Sequence, residues 1–248
     1  MNLLIPATIL FIGGLVKGLN GFGYAVVSTT LLATVMPAQQ AVAIMIIPLI
    51  LANIHILREV TRQELHDCIN RFGPYLITAT TGVTAGTLAT GLIPQNILSK
   101  VIGLFTLLFV ASKIDRISGI FDSGLDYCAE NPRIEPVLGL ISGTVFGSTN
   151  IGVPFVAYFQ QIGLEKKKFA TMIALTVLLS SIIRIPLATG LGMYSGPQNI
   201  LFSVLLAGPG LLGVEAGSKI REKIPEKYFY KTSLFLMTVI GFKLLGTF

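Results

Sequence analysis

Charge is scarce in this sequence. Its 248 residues include 18 Lys plus Arg and 12 Asp plus Glu, 12% of the chain, about half the share expected of a soluble globular domain. Beside 52% hydrophobic residues, that shortage excludes a water-soluble enzyme and a nucleic-acid binder. Cysteine is scarcer still. Cys68 and Cys128 are the only two; both read as lying in polar loops, and their separation matches no metal-ligand spacing. A secreted disulfide scaffold is excluded, and neither a metal nor a cofactor is called for. The opening Met1-Asn2-Leu3-Leu4-Ile5-Pro6 has no positive n-region and no A-x-A site, so it does not read as a removable signal peptide. Acidic residues avoid the apolar segments, Glu215 excepted.

What is present is apolar length. Hydrophobic segments occupy about 5–36, 41–57, 72–92, 96–112, 136–162, 169–190, 199–218 and 228–247, and several reach the ~20 residues that cross a bilayer. The expected fold is all-α, a polytopic membrane protein. Its expected parts are a first transmembrane repeat at 1–112, a polar linker at 113–135 and a second transmembrane repeat at 136–248. The first and fifth segments are too long for one span. Each is cut by a glycine-rich polar stretch, Gly18-Leu19-Asn20-Gly21-Phe22-Gly23 in one and Gly147-Ser148-Thr149-Asn150-Ile151-Gly152-Val153-Pro154 in the other. Backbone breaks at membrane depth persist only where they are buried in protein or line a cavity.

Two motifs recur in order. Gly14-Leu15-x-x-Gly18 returns as Gly139-Leu140-x-x-Gly143, and Gly82-Val83-x-Ala85-Gly86-Thr87 as Gly213-Val214-x-Ala216-Gly217-Ser218. Basic residues then suggest an orientation. If each broken segment enters and returns as a hairpin, 14 of the 18 Lys and Arg residues gather on one side, as the positive-inside rule requires. Each half then holds one broken-helix hairpin and three crossings. That odd parity makes the repeats inverted, puts Cys68 and Cys128 in the cytoplasm and puts both termini outside. Whether a hairpin turns back midway or crosses twice leaves the parity unchanged.

Inverted halves with broken helices are the plan of secondary transporters, whose sites lie at the breaks. Asn20, Gly21 and Gly23 occupy the first break; Ser148, Thr149, Asn150 and Gly152 occupy the second. Glycine permits close backbone approach. The half-helix after each break would turn free N–H groups toward the tip, an arrangement suited to an anion. Lys17, just before the first tip, is an intramembrane cation and a substrate-binding candidate. Arg184 near the far interface either binds and gates substrate or snorkels. Glu215 is a candidate proton carrier, although Lys219 at i+4 favours an interfacial ion pair. A remote enzymatic alternative is an intramembrane serine protease using Ser148 and His55, but Gly147-Ser148-Thr149 lacks the expected G-x-S-G context and His55 lies near a boundary.

The stretch from Gly14 to Ala43, and its second version from Gly139 through Pro154 to Phe169-Ala170, resembles the sulfite exporter TauE/SafE family of membrane transporters. The resemblance runs along nearly the whole chain in length, segment order and motifs. It implies a multi-pass protein of the cytoplasmic membrane that moves small sulfur-containing anions, sulfite or organosulfonates. Export is the leading expectation; an uptake carrier or a channel is the alternative. The implied partners are the anion and the lipid bilayer, with a homodimer left open.

Overall fold

A computed structural model describes residues 3–20, 23–58, 60–112, 134–194, 196–221 and 226–246. Every element among them is helical. The order is α1 (Leu4–Asn20), α2 (Tyr24–Leu32), α3 (Ala38–Ile44), α4 (Ile46–Leu57), α5 (Arg62–Leu92) and α6 (Gln95–Ser112), then α7 (Glu135–Thr149), α8 (Val153–Gln161), α9 (Lys166–Gly190), α10 (Pro197–Arg221) and α11 (Glu226–Leu245). Three described segments are long and apolar enough to cross a membrane: Ala38–Leu57, Lys167–Gly190 and Gln198–Ile220. Met45 keeps helical torsions between α3 and α4, so the two act as one span. Large apolar side chains such as Ile77, Leu92, Leu201 and Leu212 point outward, which suits lipid and not water.

The helix breaks occur where the glycines predict them. Gly23 starts α2 with φ 97°, and Asn150 ends α7 with φ 61°, a conformation that Asn tolerates better than most residues. Past each break the helix is short. Both α2 and α8 have nine residues, about 14 Å, or half a ~30 Å hydrocarbon core. Pro154 in the first turn of α8 fits there because the N–H it lacks has no partner within the helix.

Glycine decides which helices meet. Along α1, a Cβ on Gly14 would overlap the Gly210 carbonyl oxygen, and one on Gly18 would overlap that of Val214. From the opposite side, Gly213 abuts Phe11 and Gly217 abuts Leu15. The second pair of motifs docks in the same way: Gly82 abuts Leu140, Gly86 abuts Thr144, and Gly143 abuts Ala79. So α1 runs parallel to α10, and α7 runs parallel to α5. Without a hydrophobic drive between helices in lipid, such backbone-to-backbone packing is what holds them together. α9 also runs with α5, since Lys167 meets Glu64 at one end and Arg184 meets Thr87 at the other. α3 begins beside the end of α5, where the Gln39 amide donates to the Thr90 and Ile93 carbonyls.

An aromatic cluster from Phe72, Tyr75, Phe146, Phe155, Tyr158 and Phe159 fills the space between α5, α7 and α8; Tyr75 and Tyr158 stack at 4.6 Å. The loop expectation for Cys68 is overturned. It is a buried residue inside α5, because that helix begins ten residues before its apolar run. Thr61 and Glu64 form a capping box at its start, which satisfies free N–H groups without any hydrophobic residue. Cys128 lies outside the described residues, as do linker positions 113–133.

Candidate functional site

Between the two hairpins lies a partly open cavity. It is walled mostly by apolar side chains, including Leu49, Phe109, Phe146, Phe155 and Ile173. Two polar side chains besides Tyr24 enter it, Lys17 and Asn53. Backbone from the first turns of α2 (Gly23 to Val26) and α8 (Gly152 and Val153) completes the lining. The cavity extends to Ile56 at the end of α4 and Phe169 in the first turn of α9. It therefore reaches toward the face at which α5 begins.

Lys17 is buried, and its Nζ donates to Asn53 Oδ1 at 3.3 Å; the Asn53 amide donates in turn to the Leu49 carbonyl at 2.7 Å. A lysine ammonium has three protons, and one amide oxygen occupies one of them. The first turns of α2 and α8 add N–H groups with no partner inside their helices and carry the positive ends of the helix dipoles. Chemically, this is an apolar chamber with one fixed cation, one amide and two helix N-termini. A small anion fits that set of donors.

The sequence candidates do not gather in one place. Lys17, Gly23 and Gly152 line the cavity. Asn150 and Arg184 do not. They form a sealed knot in which the Arg184 guanidinium donates to Asn150 Oδ1 at 2.5 Å, to the Gly147 carbonyl at 3.1 Å and to Thr87 Oγ1 at 3.2 Å. The Asn150 amide donates onward to Thr29 Oγ1 at 3.2 Å and to the Val42 carbonyl at 2.9 Å. Both residues are fully buried. Snorkelling does not describe Arg184, because every contact it makes points into protein.

The hydroxyls beside the second tip serve the backbone. Ser148 Oγ donates to the Thr144 and Val145 carbonyls, and Thr149 Oγ1 donates to Val145 while accepting from Ile151 N–H. Ser148 thus has its proton committed within its own helix and no base beside it among these contacts. Asn20 ends α1 and is described by its backbone alone; Gly21 lies outside the described residues. Glu215 is 64% exposed at its side chain and pairs with Lys219 at 2.8 Å. Sequence reasoning missed Asn53, Thr29 and Thr87. A signal existed for Asn53, an amide within the apolar run 41–57, whereas threonines are too common in membrane helices to stand out.

Comparison with known proteins places the chain in a family. A family model described as sulfite exporter TauE/SafE matches residues 6–244. No curated protein and no solved structure matches the chain. The matched region contains both hairpins, both glycine-docked helix pairs and the cavity. An all-helical chain with membrane-spanning segments, matched over nearly its full length, belongs to the sulfite exporter TauE/SafE family of membrane transporters.

Proposed function

We propose that this protein is a secondary carrier that exports a small sulfur-containing anion, sulfite or an organosulfonate, across the cytoplasmic membrane. The observation that carries the reading is Lys17, the one charged side chain among the described residues that line the cavity between the hairpins. Burying a cation in a membrane helix is expensive and marks a functional position. An oxyanion in the cavity would accept from the ammonium, from the Asn53 amide and from the first-turn N–H groups of α2 and α8. Export needs no elaborate relay. With the cell interior negative, the membrane potential drives an anion outward by roughly 2.3 kcal/mol per charge per 100 mV. Glu215, paired with Lys219 on an exposed face, has no part in this reading.

The carrier is read as two inverted repeats, 1–112 and 136–248, with both termini outside. Support comes from helix directions. α1 runs with α10, and α7 runs with α5 and α9. α10 runs with the α3–α4 span, since Ser203 meets Ile44 early in both while Val214 and Asn53, further along, lie beside Gly18 and Lys17. That span starts beside the end of α5, so α1 and α7 point opposite ways. The matching element sequence supports it too: a long leg, a nine-residue leg, then three longer crossings in each half, counting α3 and α4 as one.

The test is titration calorimetry of purified protein with sulfite, sulfoacetate, thiosulfate and sulfate, repeated on Lys17→Met. Binding of at least one anion by the wild type, weakened in Lys17→Met, is the expected result. Equal binding by both would remove the site from the cavity. Counterflow of labelled substrate in proteoliposomes separates a carrier from a channel.

A further inference from the structure

Arg184 is a complete positive charge, wholly buried, and all three groups that accept from it are neutral. No carboxylate among the described residues forms an ion pair with it. Leaving a buried cation without a counter-charge is unfavourable. One turn earlier on α9, on the same helical face, Ser180 and Ser181 are fully buried and their hydroxyls have no hydrogen-bond partner among the described residues. A cation without an anion therefore sits beside two hydroxyls without acceptors. Each group lacks what an oxyanion has.

The position matters as much as the chemistry. Thr87 lies five residues before the end of α5, and Val42 lies in the first half of the continuous span Ala38–Leu57, whose start sits beside the end of α5, so the knot is close to the face at which α5 ends. The cavity extends the other way, toward Ile56 and Phe169. Each hairpin is tied to the long helix that follows it by a cation–amide pair: Lys17 with Asn53 in the first half, Asn150 with Arg184 in the second. One pair faces a cavity and the other is sealed.

We infer that Arg184, with Ser180 and Ser181, is a second anion-binding station, serving the face opposite the cavity and closed in this conformation by the Asn150 tip. The inference rests on the carrier reading, in which inverted halves exchange conformations as the site alternates between faces. Opening requires Asn150 to release Thr29 and Val42. The bound anion then supplies the counter-charge that Arg184 lacks here and accepts from the two serine hydroxyls. The ligand class is a small oxyanion, shared with the cavity.

The test uses a thiol reagent that is itself a sulfonate. Ser181→Cys, in a Cys68→Ser, Cys128→Ser background, replaces one atom and breaks no hydrogen bond present in the structure. Full-length protein in right-side-out and inside-out vesicles is treated with impermeant methanethiosulfonates, one bearing a sulfonate and one a trimethylammonium. Asp67→Cys, exposed near the start of α5, and Asn96→Cys, exposed in the first turn of α6 just past the end of α5, mark the two faces. The expected result is labelling of Ser181→Cys from the Asn96 side. Its sulfonate-to-ammonium rate ratio should exceed that of Asn96→Cys by about tenfold or more, as a focused positive site concentrates anions. Arg184→Gln should abolish the excess where it folds; the ratio in the Arg184 background decides the matter where it does not. No labelling from that side, or a ratio equal to the control, overturns the inference. Because no bound substrate is needed, that failure is distinct from loss of Lys17-dependent binding, which would overturn the carrier site instead.

Discussion

Arg184 and Asn150 are joined at 2.5 Å in a fully buried contact between α9 and the tip of the second hairpin. Asn150 is also the only described non-glycine residue with positive φ. It therefore does two jobs, turning the chain and holding a charge. Asn150→Gly and Asn150→Ala should both be destabilised, since each leaves Arg184 without its shortest contact. Alanine should be worse by about 1–2 kcal/mol, the left-handed penalty that glycine escapes. Melting temperatures of the detergent-solubilised variants check both the loss and its order.

Lys17 and Asn53 should control affinity without controlling the fold. Removing one hydrogen bond to a charged ligand costs roughly 1.5–3 kcal/mol, about ten- to a hundredfold in affinity. Lys17→Met and Asn53→Ala should each weaken anion binding by about that factor, and Lys17→Arg should retain part of it. Calorimetry with the tightest of the four test anions gives the comparison; elution as a single symmetric peak shows that the variants are folded.

The docked glycines predict opposite signs for the same substitution. Gly18→Ala forces a methyl group against the Val214 carbonyl oxygen, and overpacking of this kind costs roughly 1–3 kcal/mol. Gly190, the last residue of α9, has open space where a Cβ would be. Gly190→Ala should therefore stabilise by up to about 0.5–1 kcal/mol. A fall in melting temperature for the first and a rise for the second is expected. Equal effects would mean that α1 and α10 are not in close backbone contact.

Glu64, outside the membrane-spanning part of α5, accepts from Lys167 at 2.5 Å and from the Thr61 backbone and hydroxyl. The Lys167 hydrogen bond, followed by those from Thr61, pulls its carboxyl from the usual 4.5 down to about 2. A depressed carboxylate contributes stability that is complete above the unfolded-state value and vanishes as pH falls through the folded one. The stability difference between wild type and Glu64→Gln should thus be flat from pH 7 to about 5. It should shrink steadily between about 4.5 and 2. A difference that grew on acidification would contradict this pairing.

Orientation is testable at exposed positions. Native Cys68 does not serve as a reporter, because burial alone would keep it unlabelled. In a cysteine-free background, Asn96→Cys should react with an impermeant maleimide on intact cells, and Asp67→Cys only after permeabilisation. The reverse pattern would turn the carrier over and exchange the faces served by the cavity and by Arg184.

Composition alone determined that this is a membrane protein, because few charges and long apolar runs have no other stable solvent. The breaks were legible too, since Gly-Leu-Asn-Gly and Thr-Asn-Ile-Gly cannot continue a helix comfortably. Repeated glycine spacing announced close helix contact but not its partner. A bare backbone surface fits any other bare surface, and only the fold decided that Gly14 and Gly18 meet Gly213 and Gly217 while Gly139 and Gly143 meet α5 along Gly82 and Gly86. The same limit governs the polar residues. Lys17 was conspicuous as a charge, yet its partner Asn53 is 36 residues away, beyond any local pattern. Asn150 was readable as a tip residue, whereas its turning toward Arg184 instead of the cavity depends on where α9 passes. Cys68 shows the converse error, for hydropathy detects lipid contact and not hydrogen bonding, so it is blind to the aqueous turns of α5 that Thr61 and Glu64 cap. Local chemistry set which residues could act; long-range packing set which of them face the cavity and which are sealed.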